Sequence, residues 1–194
     1  KICGSVKTFT VANPIRLPIP SGEGRLPEDV SGLEENVLLA AGRLVHQKGF
    51  DLLIDAFSQV TKAFPNWSLV IIGEGADREN LHTQINRKEI SSKVKLIGAT
   101  SAMDEWYDRA DLFVLSSRYE GFPNVLLEAM AKGRPVISFD CLTGPSALIS
   151  SPDKGVLVPI EQGAEGLQRE LKTLMSDAKL RKEFGQEASY VREA

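Results

Sequence analysis

The feature that most constrains the fold of this chain is a series of six short apolar runs, separated by longer stretches with helical spacing of apolar residues. The runs are residues 37–41, 69–72, 94–97, 112–115, 136–139 and 155–158. A strand with one face in water alternates apolar and polar residues, so nearly continuous apolar runs predict strands covered on both faces. With the intervening helices, they predict an α/β domain: a Rossmann-like, doubly wound parallel sheet of about six strands.

The stretches between the runs predict the helices. Leu53, Phe57, Val60 and Phe64 share one helical face, and Pro65 would end that helix. Further helices are predicted around Leu81 and Ile85, over residues 103–110 and 124–132, and over the stripe of Leu167, Leu171, Leu174 and Met175, with a charged tail beyond.

The first 36 residues lack this periodicity and contain many helix and strand breakers, which is typical of a linker. The breakers are Pro14, Pro18, Pro20, Gly22, Gly24 and Pro27. We therefore divide the chain into a linker or extended arm over residues 1–36 and a folded domain over residues 37–194. Because the sequence begins Lys1-Ile2-Cys3 and not with Met, we expect a piece of a longer protein.

Composition excludes several classes of protein. With 23 Lys and Arg against 26 Asp and Glu, the net charge of −3 argues against a nucleic-acid binder. No apolar stretch approaches the length of a membrane span. Cys3 and Cys141 lie too far apart in sequence for a metal knuckle, and they fit a reducing compartment. No cluster of His, Cys or carboxylates has metal-ligand spacing, so we expect no bound divalent metal.

Ligands of doubly wound sheets bind at the carboxyl ends of the strands, so the residues after each run carry the functional signal. After the first run, Arg43 and Lys48 lie in a loop bounded by Gly42 and Gly49. Lys48 directly precedes a predicted helix, where a positive charge opposes the helix dipole. A bound anion would resolve that conflict. Two solvated loop cations explain the same residues equally well.

After the second run comes Gly73-Glu74-Gly75, whose glycines permit a close approach of the backbone. The third glycine of the dinucleotide fingerprint is absent, so a tight turn is the favoured interpretation.

The stretch after the fourth run is the most informative. Gly121 and Pro123 mark a strand-to-helix turn, and the backbone N–H groups of residues 124–126 are expected to be free to bind an anion. Glu120 stands in the turn and Glu128 lies inside the helix, so two carboxylates bracket this site and can accept hydrogen bonds from sugar or ribose hydroxyls. An ordinary helix start also favours acidic residues, and a half-buried carboxylate satisfied by backbone donors would equally explain Glu128. Residues 140–146, after the fifth run, are expected to form a pocket wall.

Taken in order, these motifs resemble the donor-binding half of family 4 glycosyltransferases. The matching stretches are Gly42-Arg43 to Lys48-Gly49, Gly73-Glu74-Gly75, Glu120-Gly121-Phe122-Pro123 to Glu128-Ala129-Met130-Ala131, and Gly133-Arg134-Pro135-Val136-Ile137. The resemblance covers about residues 36–160, and its most specific element is the pair of glutamates with seven residues between them. Asn13-Pro14-Ile15 resembles the segment that enters this domain from a preceding one.

The resemblance implies one half of a GT-B enzyme, in which two Rossmann-like domains face each other and the C-terminal one holds a nucleotide-sugar donor. By position, Arg43 and Lys48 would neutralise the donor diphosphate, Glu120 would contact the donor sugar and Glu128 the ribose. The implied catalytic residues are Arg43, Lys48 and Glu120, and the implied donor-binding residues are Gly73, Ile97, Gly98, Gly121, Phe122, Asn124, Val125, Leu126 and Glu128. Ile97 and Gly98 would lie beside the base. Such enzymes are retaining and need no metal.

We therefore expect the donor-binding domain of a hexosyltransferase that moves a sugar from a nucleotide-diphosphate sugar, with UDP favoured, to a glycan or lipid-linked acceptor in cell-surface polysaccharide synthesis. No cofactor is expected. An N-terminal acceptor domain would be missing, and the fragment alone would be inactive. We expect a cytoplasmic location, or peripheral attachment to the inner membrane surface through the missing domain. The alternatives are a stand-alone nucleotide-binding or regulatory module, a sugar-nucleotide epimerase and a phosphorylase.

Overall fold

The computed structural model describes residues 24–192, together with Ile19 and Gly22. Most of the predicted arm, with Asn13-Pro14-Ile15 and Cys3, lies outside the described residues. Cys141 is a buried free thiol.

Six strands form a single parallel sheet in the order β3-β2-β1-β4-β5-β6. They are β1 (Asn36–Ala41), β2 (Trp67–Ile72), β3 (Val94–Gly98), β4 (Leu112–Leu115), β5 (Val136–Asp140) and β6 (Val156–Pro159). Each predicted run overlaps one strand, so the predicted doubly wound parallel sheet is confirmed. The order reverses between β1 and β4, which lie side by side at the centre of the sheet.

Seven α-helices and four short 3₁₀ turns connect and flank the strands in the described part of the chain. The helices are α1 (Phe50–Ser58), α2 (Arg78–Arg87), α3 (Met103–Arg109), α4 (Asn124–Ala131), α5 (Pro145–Leu148), α6 (Gly163–Ser176) and α7 (Ala178–Ala188), and the turns are Pro27–Asp29, His46–Lys48, Ile160–Gln162 and Ser189–Arg192. Within these residues, no helix combines the length and the apolar character that crossing a bilayer requires.

The alternation of side chains along β1 explains why the strands are apolar throughout. Leu38 and Ala40 point to a core covered by α1, α2 and α6. Val37, Leu39 and Ala41 point to a second core, covered by α3 and α4. Because both faces of the sheet are buried, a polar residue on either face would lose its hydration.

Two predicted boundaries differ from the structure. The first helix ends at Ser58, where the Ser58 hydroxyl donates to the Asp55 carbonyl and competes with the helical pattern. Val60 and Phe64 still pack against the core, but from the turns that follow. The expected charged tail instead forms α7, whose N-cap Asp177 accepts a hydrogen bond from the Leu180 amide at 2.9 Å.

The described part of the predicted arm packs against the domain. The Trp106 indole donates to the Arg25 carbonyl at 2.8 Å, and Arg109 donates to the carbonyls of Glu34 and Glu35 at 2.7 and 2.9 Å. Val30 is buried in the second core. These residues therefore cover one side of the sheet, and the predicted boundary at 36/37 falls one residue inside β1.

Candidate functional site

The loops that follow β1 and β4 meet where the strand order reverses, the usual ligand position in this architecture. The loop after β1 supplies Arg43 and Lys48, and the loop after β4 supplies Glu120. Glu128 lies within α4. We call the loops over residues 42–49, 73–77, 116–123 and 141–144 the carboxyl edge of the sheet.

Lys48 and Glu120 form an ion pair across the carboxyl edge. Lys48 Nζ lies 2.5 Å from Glu120 Oε1, and the two side chains are only 15% and 6% exposed. The Ser117 hydroxyl donates to the same carboxylate oxygen at 2.6 Å. Lys48 is therefore not a solvated loop cation. The Arg43 side chain, in contrast, is exposed, and no hydrogen bond or ion pair joins it to another described side chain or carbonyl.

Hydrogen bonds join the two loops that carry this pair. The Arg118 amide donates to the Gln47 carbonyl at 2.8 Å, and the Gln47 side chain donates to the Tyr119 carbonyl at 2.9 Å. The Ser116 hydroxyl donates to the Lys48 carbonyl at 2.9 Å. These contacts hold the backbone of Lys48 independently of its side chain.

A second ion pair fixes the start of α1. The Arg118 guanidinium donates to both carboxylate oxygens of Asp51, at 2.8 and 2.6 Å, and to the His46 carbonyl at 2.7 Å. Burial by itself would raise the pKa of Asp51, but the hydrogen bond and positive charge of Arg118 outweigh it and lower this pKa. Asp51 therefore stays ionised and anchors the β4 loop to α1.

Glycines allow the loops to approach so closely. Gly49 has a φ of 63°, and a Cβ there would lie 2.0 Å from the Ser116 carbonyl oxygen. A Cβ at Gly73 would lie 1.9 Å from the Gly42 carbonyl oxygen. At Gly75 it would lie 2.3 Å from the Leu44 carbonyl oxygen. At Gly73 and Gly75, neighbouring backbone leaves no room for a side chain, as the tight-turn interpretation expects.

The start of α4 differs from the expectation of free N–H groups. The Asn124 amide donates to the Phe122 carbonyl at 3.1 Å, and the Leu126 amide donates to the Pro123 carbonyl at 3.0 Å. Pro123 is the N-cap residue, and it has no side-chain acceptor for these amides. The expectation was wrong for Asn124 and Leu126 because the chain turns tightly enough for local carbonyls to reach them. A ligand at Asn124 or Leu126 would share these amides with the local carbonyls in three-centre hydrogen bonds.

Glu128 is held from another element. The Tyr107 hydroxyl, on α3, donates to Glu128 Oε2 at 2.8 Å and lies 3.3 Å from the Val125 carbonyl oxygen. Burial raises the pKa of Glu128, and the hydrogen bond from Tyr107 partly offsets this. Burial also raises the pKa of Tyr107, and the neighbouring Glu128 charge adds to the effect. The partner of this carboxylate is therefore a phenol and not the backbone donors of the alternative explanation.

The other predicted site residues lie in two places: in the turn that contains Glu120, and at the end of β3. Gly121 is exposed and Phe122 is half-buried, beside Glu120 in the same turn. Gly98 ends β3, and its carbonyl accepts from the Gly73 amide at 2.9 Å. Ile97 lines a cavity of about 390 Å³ beside β3, together with Arg78 and Lys95, and neither Lys48 nor Glu120 lines that cavity.

The loop after β5 contacts the same turn, as expected for a wall of the site. The Thr143 hydroxyl donates to the Glu120 carbonyl. Among the described residues, no three His, Cys, Asp or Glu side chains are grouped so that they could hold a metal ion.

Sequence reasoning missed the residues that hold the site together. Arg118 and Tyr107 contact residues 67 and 21 positions away in sequence, and Ser117 contacts Glu120 within the same turn. A weak signal existed for Tyr107, because a tyrosine on an apolar helix face needs a partner for its hydroxyl. The identity of that partner depends on the order of the strands.

Comparisons with known proteins agree with this fold. A sequence model of the family described as "Glycosyl transferases group 1" matches residues 27–190. The amylovoran biosynthesis glycosyltransferase AmsD of Erwinia amylovora is 35% identical over 161 residues, which are 83% of this chain and 44% of that protein. The lipopolysaccharide core biosynthesis glycosyltransferase LpsE of Rhizobium meliloti is 33% identical over 145 residues, 75% of this chain and 41% of that protein. The chain thus spans less than half the length of these curated relatives.

Solved structures show the same architecture. The C-terminal domain of LpcC, a glycosyl transferase group 1 family protein from Francisella tularensis, superposes with a TM-score of 0.73 at 27% identity, covering 82% of this chain and 85% of that one. A variant of TarM from S. aureus, in complex with fondaparinux, α-GlcNAc-glycerol and UDP, gives a TM-score of 0.78 at 28% identity over 97% of this chain and 36% of that one.

Proposed function

Because the chain belongs to the group 1 glycosyl transferases, we propose that it forms the donor-binding domain of a retaining glycosyltransferase of family 4. The observation that carries this proposal is the nearly buried ion pair of Lys48 and Glu120 at the point where the strand order reverses, with Glu128 on the helix that begins just after Glu120. A nucleotide-diphosphate sugar contains the groups that such residues recognise: a diphosphate, a hexose and a ribose. The enzyme would need neither a metal ion nor a cofactor.

Lys48 is suited to stabilise the leaving group. An ammonium has three N–H donors, and Glu120 accepts from it through one oxygen, so further donors can point at a diphosphate. Cleavage of the bond at the anomeric carbon leaves negative charge on the diphosphate, and a nearly buried cation stabilises that charge more than a solvated one does. Arg43, which is exposed, would add a second cation from the same loop.

Glu120 and Glu128 would bind hydroxyls on either side of the diphosphate. Glu120 is fixed by Lys48 and Ser117, which makes it a positioned acceptor for the donor sugar. Glu128 would accept from the ribose. Amides of residues 124–126 would share the diphosphate oxygens.

The acceptor and the biological role are inferred from relatives. AmsD is named for amylovoran biosynthesis and LpsE for the lipopolysaccharide core. We infer hexosyl transfer to a glycan or lipid-linked acceptor in cell-surface polysaccharide synthesis, with UDP as the favoured nucleotide. The acceptor would be held by a further domain at the N-terminal side, and this domain alone would transfer little. A cytoplasmic enzyme, peripheral at the inner membrane surface, fits this role.

Calorimetric titration with UDP, GDP and ADP, without added metal, tests the proposal. We expect one of them to bind, and Lys48→Ala to weaken that binding by about tenfold or more, as for a lost charge-assisted hydrogen bond. Lys132→Ala is the matched control, since Lys132 is 17% exposed and paired to Asp104 and Asp108 between α3 and α4. If none of the three nucleotides binds, or if Lys132→Ala weakens binding as much, the proposal fails.

Activity separates the alternatives. The full-length enzyme should transfer sugar to an acceptor with the anomeric configuration kept, which NMR of the product reports. Formation of an altered nucleotide sugar without any acceptor would instead indicate an epimerase.

A further inference from the structure

Tyr107 lies outside the motifs that suggest a function, and yet it contacts the site. Its side chain has no exposed surface, and its ring packs against Phe113 with centroids 5.9 Å apart. Its hydroxyl reaches α4, where it donates to Glu128 Oε2. A phenylalanine would fill this core equally well, so packing alone does not account for the hydroxyl.

Because of this contact, the two carboxylate oxygens of Glu128 differ in their hydrogen bonding. Oε2 accepts from Tyr107 at 2.8 Å, and this is the only hydrogen bond to the Glu128 carboxylate found among the described residues. Oε1 therefore has no protein donor within residues 24–192. The side chain is half-buried, so Oε1 is available to a ligand that reaches the start of α4.

A hydrogen bond is needed to fix this carboxylate. The terminal torsion of a glutamate is broad, so packing of the methylene groups does not set the plane of the carboxylate. A donor at one oxygen sets that plane and hence the direction of the other oxygen's lone pairs. The 3.3 Å approach to the Val125 carbonyl shows that the phenol itself sits between α3 and α4 in a defined place.

We propose that Tyr107 is a positioning residue for ribose recognition: its hydroxyl donates a hydrogen bond to Glu128 Oε2 and so directs Oε1 toward the ribose hydroxyls of the nucleotide. This rests on the proposed function, because the nucleotide is part of it. Tyr107 itself touches no substrate. Its contribution is selective for the ribose and leaves recognition of the diphosphate by Lys48 unchanged.

The test compares UDP with 2′-deoxy-UDP, or the guanine or adenine pair if that base binds. We expect the wild type to prefer the ribose form by about tenfold, and Tyr107→Phe to reduce this preference to less than about threefold. Phe113→Leu disturbs the packing of the same ring but keeps the hydroxyl, so it should lower the melting temperature and keep the preference. A purely structural role for Tyr107 predicts that both variants melt earlier and both keep the preference, which would overturn the proposal.

Glu128→Gln keeps the test decisive if Tyr107→Phe does not fold. The amide retains an oxygen for the Tyr107 hydroxyl but presents no carboxylate oxygen to the ribose, so the preference should be lost. Where Tyr107→Phe does fold, adding it to Glu128→Gln should change the ratio no further. If the wild type binds UDP and 2′-deoxy-UDP equally, or Glu128→Gln keeps the preference, the proposal is wrong. If no nucleotide binds the wild type at all, the proposed function fails instead.

Discussion

The two ends of the sheet use positive charge in different ways. At the carboxyl edge, Lys48 and Arg118 pair with the carboxylates of Glu120 and Asp51. The opposite end, where strands begin and several helices end, we call the amino edge; it is formed by residues 110–111, 131–135 and 174–192. There, arginines donate to backbone carbonyls: Arg134 to Ala110 and Lys132, Arg181 to Leu174 and Met175, and Arg192 to Ala131.

This difference explains why the groove at the amino edge is not the better candidate site. The amino edge contains a groove of about 570 Å³ lined by Arg134, Arg181 and Arg192. Each of these arginines already donates to carbonyls, including those at the ends of α3, α4 and α6, which need donors in the folded state. Arg181 also stacks over Trp67 at 5.0 Å. The amino-edge arginines therefore stabilise helix ends within the fold, whereas Lys48 pairs with a carboxylate at the edge where ligands of this architecture bind.

The largest expected effect is on turnover at the carboxyl edge. In the full-length enzyme, Lys48→Ala should lower turnover by roughly 10²- to 10³-fold, by analogy with the loss of one oxyanion-hole donor. It also leaves Glu120 without its counter-charge, so activity must be measured where circular dichroism shows the variant folded. Lys132→Ala removes two ion pairs elsewhere and should keep the turnover of the folded enzyme. If the turnover of Lys48→Ala were close to the wild-type value, the carboxyl edge would not have the proposed catalytic role.

At the amino edge, the corresponding effect is on stability. A Cβ at Gly185 would lie 2.3 Å from the Gly133 carbonyl oxygen, so Gly185→Ala forces α7 away from the loop after α4. We expect a loss of about 1–3 kcal/mol in the free energy of unfolding, seen as a drop of several degrees in melting temperature. Nucleotide affinity below the transition should not change. A large loss of affinity without a loss of stability would contradict the assignment of this edge.

At Gly121, on the carboxyl edge, a glycine substitution should have the opposite result: a loss of affinity without a loss of stability. Apart from Gly121 itself and its two neighbours in the chain, no described residue has a heavy atom within 4 Å of the position its Cβ would take. Gly121→Ala should therefore leave the melting temperature unchanged. Because the neighbouring turn is proposed to face the diphosphate and sugar, the added methyl group should weaken nucleotide-sugar binding by about tenfold. Unchanged affinity would show that the ligand does not approach this turn.

The strands were predictable and the contacts of the site were not, for a physical reason. A strand buried on both faces is apolar at every position, so 37–41 and 112–115 are recognisable without knowing their neighbours. The Lys48 and Glu120 pair joins residues 72 positions apart, and the Tyr107 and Glu128 pair joins residues 21 apart. Such pairs follow from the strand order, which a local pattern does not contain. Helix α7 was missed because its charged residues hide the spacing of Leu180, Phe184 and Ala188.

The smallest expected effect is on stability at Glu128, on the helix that follows the carboxyl edge. Because burial raises the pKa of Glu128, the Glu128 carboxylate binds a proton more tightly in the folded protein than in the unfolded chain. The contribution of this group to the free energy of unfolding is fully present below its ordinary pKa and is lost as the pH rises through the raised pKa. At neutral pH the ionised, half-buried carboxylate therefore destabilises the fold. Glu128→Gln should thus unfold at slightly higher denaturant concentration than the wild type near pH 7, and the difference should shrink toward about pH 4. The opposite trend, with Glu128→Gln less stable as the pH rises, would mean that this carboxylate stabilises the fold as the amino-edge arginines do.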